Sequence, residues 1–95
     1  MAGGWTARPS PRFVRDYARL PIDIQKRVDA CLRDLAQDPV PGTRRLHCIS
    51  IGGRRPQVFS VDVLPNKSYK LSFEVDGRFA VLRRVGTHQE IDRAS

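Results

Sequence analysis

The segment Tyr69-Lys70-Leu71-Ser72-Phe73-Glu74-Val75-Asp76-Gly77-Arg78-Phe79-Ala80-Val81-Leu82-Arg83-Arg84-Val85 decides the fold. In its first half Tyr69, Leu71, Phe73 and Val75 alternate with Lys70, Ser72 and Glu74. Successive side chains of a strand point to opposite faces, so this pattern describes a strand with one face buried. Asp76-Gly77 is a two-residue hairpin signal. Phe79 to Val85 then returns as a second strand, rich in β-branched and aromatic residues. A turn centred on Asp76-Gly77 pairs Val75 with Arg78, Phe73 with Ala80, Leu71 with Leu82 and Tyr69 with Arg84 on the core side. On the other side it sets Lys70 opposite Arg83, and directly opposed like charges destabilise a sheet. Two compensations fit. A substrate phosphate could lie between Lys70 and Arg83, with Ser68 and Ser72 alongside, or Asp62 of the preceding strand could pair with Lys70. The second needs an odd number of residues in the turn near Pro65 to Ser68, which also keeps Phe59, Val61 and Val63 on the core side.

Upstream, Phe59, Val61 and Val63 alternate with Ser60 and Asp62, and Leu46 to Ile51 reads as a further strand. Gly52-Gly53-Arg54-Arg55-Pro56 joins them as a basic loop. Before residue 44 the period is helical. Ser10-Pro11 is a helix start, because serine caps free amides and proline suits the first helical position. Phe13, Val14, Tyr17 and Leu20 follow on one side of a short helix, and Pro21 either ends it or starts the next one. Ile24, Val28, Cys31, Leu32 and Leu35 make the apolar stripe of a second helix, stopped near Asp38-Pro39. Residues 1–9 show no period and read as a flexible tail. The predicted fold class is α+β, in one domain over residues 10–95. Two N-terminal helices pack on one face of a four-stranded, mainly antiparallel sheet.

The chain has 95 residues, enough for one modest core. Seventeen Lys and Arg against 10 Asp and Glu give a net charge of +7, which draws the chain toward nucleic acid, anionic membrane or an acidic partner. Cys31 and Cys48 have no metal-ligand spacing and fall on a helix face and a strand, so both read as small buried hydrophobes. The amino terminus lacks a basic-then-apolar signal pattern, and no apolar run reaches transmembrane length. The expected location is a reducing cytoplasm.

Val85-Gly86-Thr87-His88 follows the last strand. Paired cations beside an imidazole suit phosphodiester chemistry. As neutral imidazole, His88 could take a proton from a ribose 2′-hydroxyl; as imidazolium, it could protonate the leaving 5′-oxygen. Arg83 and Lys70 would stabilise charge on the phosphorane, and Arg84 would join the residues that bind the nucleic acid. The competing reading of His88 is an ordinary surface histidine. No cluster of carboxylates, histidines or cysteines offers a metal site, and no cofactor is implied. His47 is either a second acid–base partner or a solvated edge residue. Arg44, Arg45, Arg54, Arg55 and Lys67 form either a basic rim for an RNA backbone or ribosome, with salt-sensitive binding, or a solvated surface. Glu90 and Asp92 could orient His88 or tune its acidity.

The order helix, helix, four strands, with Leu20-Pro21, Asp38-Pro39, Tyr69-Lys70-Leu71-Ser72-Phe73 and Val85-Gly86-Thr87-His88, resembles the RelE/ParE superfamily of type II toxin–antitoxin systems. The closing motif is similar to the RelE and YafQ-like branches, and the resemblance spans roughly residues 11–93. It implies a RelE-like fold and a small ribonuclease that enters the ribosomal A site and cleaves mRNA during translation. It also implies an antitoxin that wraps the toxin with an extended, often helical and acidic segment. His88 matches the terminal catalytic His or Arg, Lys70 a phosphate-contacting strand arginine, Arg83 or Arg84 a last-strand cation, and His47 a further histidine of the YafQ-like branch. Two departures stand out. Lys70 keeps the charge of the usual arginine but loses its bidentate geometry. The aromatic residue often found after the terminal motif is replaced by Asp92, Arg93 and Ala94. Two alternatives to the nuclease are a ParE-like gyrase inhibitor without catalysis and a non-toxic regulatory member.

Overall fold

A computed structural model describes residues 4–42, 44, 46–50, 58–64 and 68–94, the side chains of 47–50 and 92–94 excepted. The element order is β1 (Thr6–Pro9), α1 (Pro11–Ala18), α2 (Ile22–Leu35), β2 (Leu46–Ser50), β3 (Val58–Asp62), β4 (Tyr69–Asp76), β5 (Phe79–Thr87) and α3 (His88–Ala94). The sheet order is β1-β5-β4-β3-β2. β2 to β5 form the antiparallel four-stranded part, and β1 adds to it in parallel against β5. The α+β class and the two helices over one sheet face agree with the sequence reading.

Local chemistry explains the helices. The Ser10 hydroxyl accepts the Phe13 N–H at 3.1 Å, and Pro11 opens α1. Phe13 is buried, with Tyr17 and Leu20 packed beside it at helical spacing. Val14 sits a quarter-turn away and is 53 % exposed, so it leaves the predicted stripe. Along α2, Val28, Cys31 and Leu35 are buried, and Ile24 and Leu32 pack against them. Burial pushes the Cys31 thiol up to about 11. The Tyr17 hydroxyl donates to Asp29 Oδ1 at 2.8 Å, tying α1 to α2. Beneath both helices lie Val61, Leu71, Phe73, Ala80, Leu82 and Val85.

The amino-terminal segment is not a tail from Gly4 onward. Trp5 is buried, its ring centroid 5.3 Å from that of Phe73 and 6.2 Å from that of Phe59. Gly4 and Trp5 donate their N–H groups to the carbonyls of Gln37 and Leu35, at the end of α2. Thr6–Pro9 then pairs with Phe79–Leu82. This strand leaves no trace in the hydropathy pattern because all four of its residues are exposed.

The β4–β5 register also departs from expectation. Asp76 pairs with Phe79, so Gly77 and Arg78 are the central turn residues, and Gly77 takes a φ of 60°. Glycine at the first central position meets the positive-φ demand of a tight hairpin. The partners move by two residues, which preserves the faces: Phe73 pairs with Leu82 and Val75 with Ala80. A bulge follows. Ser72 pairs with Arg84 and Phe73 with Leu82, leaving Arg83 as the extra residue. Lys70 therefore stands opposite Gly86 rather than Arg83, and the predicted clash of cations does not arise. On its other flank Lys70 stands opposite Asp62. The connection from β3 to β4 is odd-numbered, as the face argument required, since the Val63 N–H reaches the Tyr69 carbonyl. No helix among the described residues is long and apolar enough to cross a membrane.

Candidate active site

The face of the sheet turned away from α1 and α2 carries Lys70, Ser72 and Glu74 on β4 and Arg83 and Gly86 on β5, while Arg84, opposite Ser72 in register, returns its guanidinium to Asp16 of α1. α3 packs against β4 and β5 on this side. A side chain added at Gly86 would meet Glu90 of α3, and Ile91 is fully buried yet stands apart from the main core cluster. α3 begins where it does because Thr87 and Glu90 cap it reciprocally. The Glu90 N–H donates to Thr87 Oγ1 at 3.4 Å, and Glu90 Oε1 accepts the Thr87 N–H at 3.0 Å and its hydroxyl at 2.9 Å. These bonds, led by the Thr87 amide, hold the Glu90 carboxyl below its ordinary pKa.

His88 is the first residue of α3 and is half-buried. Its N–H donates to the Ser68 carbonyl at 3.1 Å, continuing the β4–β5 ladder one step beyond Tyr69 and Thr87. Strand alternation through Gly86 puts His88 on the line of Lys70 and Ser68. Lys70 itself is half-buried.

The bulge turns both arginines of β5 toward carboxylates. Arg83 NH1 lies 2.8 Å from Glu74 Oε1, with its side chain 37 % exposed. Arg84 Nε lies 3.1 Å from Asp16 Oδ2 of α1, with both side chains largely covered. The same Asp16 oxygen accepts the Val85 N–H at 3.3 Å. Arg83 thus remains reachable by a phosphate, whereas Arg84 is anchored into the fold. Arg44 also leaves the proposed rim. It bonds Asp34 Oδ2 at 2.8 Å and the Val63 carbonyl at 2.9 Å, clamping the end of α2 to the end of β3.

His47 stands on β2 opposite Ser60 in register, and its side chain lies outside the described residues. Arg45, Arg54, Arg55 and Lys67 lie outside the described residues as well. Among the described residues no group of three His, Cys, Asp or Glu side chains gathers as metal ligands. Asp16 and Glu74 were not singled out in the sequence. Their contacts join residues 68 and nine positions apart, and no local pattern records them. Glu90 carries a readable signal, the Thr-x-x-Glu spacing of a capping box.

The fold has close counterparts among solved structures. Over 93% of its length the chain matches 99% of a chain in the RelB–RelE antitoxin–toxin complex from Methanococcus jannaschii, with a TM-score of 0.67 and 21% identity. It matches 97% of a chain in the archaeal RelE–RelB complex from Pyrococcus horikoshii OT3 with a TM-score of 0.71 and 13% identity, again over 93% of its own length.

The chain has the RelE toxin fold.

A third RelE-fold match is the E. coli DinJ–YafQ complex, with a TM-score of 0.60 and 16% identity over 92% of this chain and 97% of the other. At such identities the RelE likeness is one of fold. No family model matches the sequence, and no curated protein matches it.

Proposed function

We propose that this chain is the toxin of a type II toxin–antitoxin pair, a cytoplasmic, metal-independent endoribonuclease that cleaves mRNA on the ribosome and blocks translation. One observation carries the reading. On a RelE fold, the imidazole-bearing residue His88 is pinned at the end of β5, on the sheet face that also bears Lys70 and Arg83. In the reaction the ribose 2′-oxygen attacks the adjacent phosphorus and the bond to the 5′-oxygen breaks. A proton leaves the 2′-hydroxyl and another reaches the departing 5′-oxygen. His88 performs one of these transfers and solvent water the other, and Lys70 and Arg83 offset charge on the phosphoryl oxygens. Arg83 is freed for this by exchanging Glu74 for phosphate. Arg84 supports the strand, while Arg45, Arg54, Arg55, Lys67 and His47 are assigned to RNA contact. The net charge of +7 suits both RNA and an acidic antitoxin. Two of the similar structures are RelE–RelB complexes, which supports a cognate antitoxin here.

The test is cleavage of a defined mRNA on purified, programmed ribosomes, together with induced expression in bacteria. Cleavage with growth arrest fits the proposal. The ion pairing of both arginines favours one competitor, a binding module that inhibits gyrase without catalysis. Filamentation with a DNA-damage response and intact mRNA would favour that competitor and overturn the nuclease.

A further inference from the structure

The Thr87–Glu90 pair does more bonding than a helix start requires. A threonine hydroxyl alone caps a helix. Here Glu90 Oε1 takes both Thr87 donors, the amide at 3.0 Å and the hydroxyl at 2.9 Å. α3 has only seven residues, too short to fix its own first turn, so tertiary and capping contacts must fix it. Space for the carboxylate comes from Gly86. A Cβ there would lie 3.1 Å from Glu90 Oε1, inside ordinary contact distance, so a glycine lets the carboxylate lie against β5. The strand beneath is held from its other edge. Asp16 of α1 takes the Arg84 guanidinium at 3.1 Å and the Val85 N–H at 3.3 Å. His88 sits between these restraints, with its own N–H committed to the Ser68 carbonyl at 3.1 Å and its preceding residue locked to Glu90.

We propose that Glu90 is a positioning residue for His88: bonded to Thr87 over the Gly86 notch, it fixes the first residue of α3 and so the backbone point that carries the imidazole. This rests on the reading of His88 as the acid–base group. The role is geometric. Glutamine keeps an oxygen that can accept from both Thr87 donors and loses the charge, whereas alanine loses both.

Two measurements on the full chain test it. The first is single-turnover cleavage on programmed ribosomes, read as a maximal rate and a half-saturating concentration. Glu90→Ala should lower the maximal rate roughly ten- to a hundredfold, as misplacement of a reacting group does, with half-saturation unchanged. Glu90→Gln should restore most of that rate, and Thr87→Val should resemble Glu90→Ala. The second is the position of the His88 imidazole cross-peaks in heteronuclear NMR, which does not depend on any activity. They should move in Glu90→Ala and return in Glu90→Gln. A parental cleavage rate in Glu90→Ala overturns the proposal, as does a Glu90→Gln rate as low as that of Glu90→Ala. If the parent cleaves no RNA, the nuclease reading falls, and the NMR comparison decides the positioning role alone. Unmoved His88 peaks in Glu90→Ala would then overturn it, and peaks displaced in Glu90→Ala and restored in Glu90→Gln would sustain it.

Discussion

On one side of β3, β4 and β5, Val61, Leu71, Phe73 and Leu82 are closed to solvent beneath α1 and α2. On the other side the same strands present Lys70, Ser72, Glu74 and Arg83, with the short α3 packed against β4 and β5. The first face is held by area and volume, which are non-directional and spread over many contacts. The second is held by a few charged and capped pairs, each dependent on one geometry: Arg83 with Glu74, Thr87 with Glu90. The sheet thus keeps its apolar core on one surface and charged and titratable side chains on the other. Some of the second surface works against stability. Among the described residues, Ser72 Oγ is buried without a hydrogen-bond partner, and a buried unmade bond costs about 1–3 kcal/mol.

Neighbouring residues of β4 give the sharpest way to break this contrast. Phe73 is fully buried on the apolar face, and Phe73→Ala should lower unfolding free energy by about 3–5 kcal/mol in urea titrations. An unshifted midpoint would remove the distinction between the faces. Double-mutant cycles should separate the two arginines next. Asp16 and Arg84 should couple by about 1–3 kcal/mol, because both side chains are largely covered. Glu74 and Arg83 should couple by less than about 1 kcal/mol, because Arg83 is solvated. Equal couplings would contradict the division between an anchoring and a reachable arginine. Ser72→Ala, one residue from Phe73, should have the opposite sign and raise stability by about 1 kcal/mol. A loss of stability there would show that the hydroxyl is satisfied in solution.

The apolar face was legible in the sequence because burial imposes a period. The two-residue alternation of Tyr69 to Val75, the stripe from Ile24 to Leu35 and the Ser10-Pro11 cap all describe local geometry, and all appear in the structure. β1 was not legible. It pairs through its backbone at the sheet edge with every side chain exposed, so only Trp5 buries apolar surface. The β5 bulge was equally silent, since no glycine or proline marks it. Lys70 and Arg83 lie on the expected face, and Lys70 stands opposite Asp62 as the odd-numbered turn requires, but their partners across β4 and β5 differ. A turn one residue out of place and one extra residue in β5 changed every opposite number while sparing the face. The Asp16–Arg84 contact could not be read locally at all, because it spans the chain from α1 to β5.

His88 is proposed as the proton-transfer group of the polar face. The most direct test compares the parent and His88→Ala for mRNA cleavage on programmed ribosomes, with circular dichroism and thermal melts to establish that both are folded. The expected result is a rate lowered about a hundredfold or more with the melting temperature retained. Cleavage at the parental rate by folded His88→Ala would contradict it.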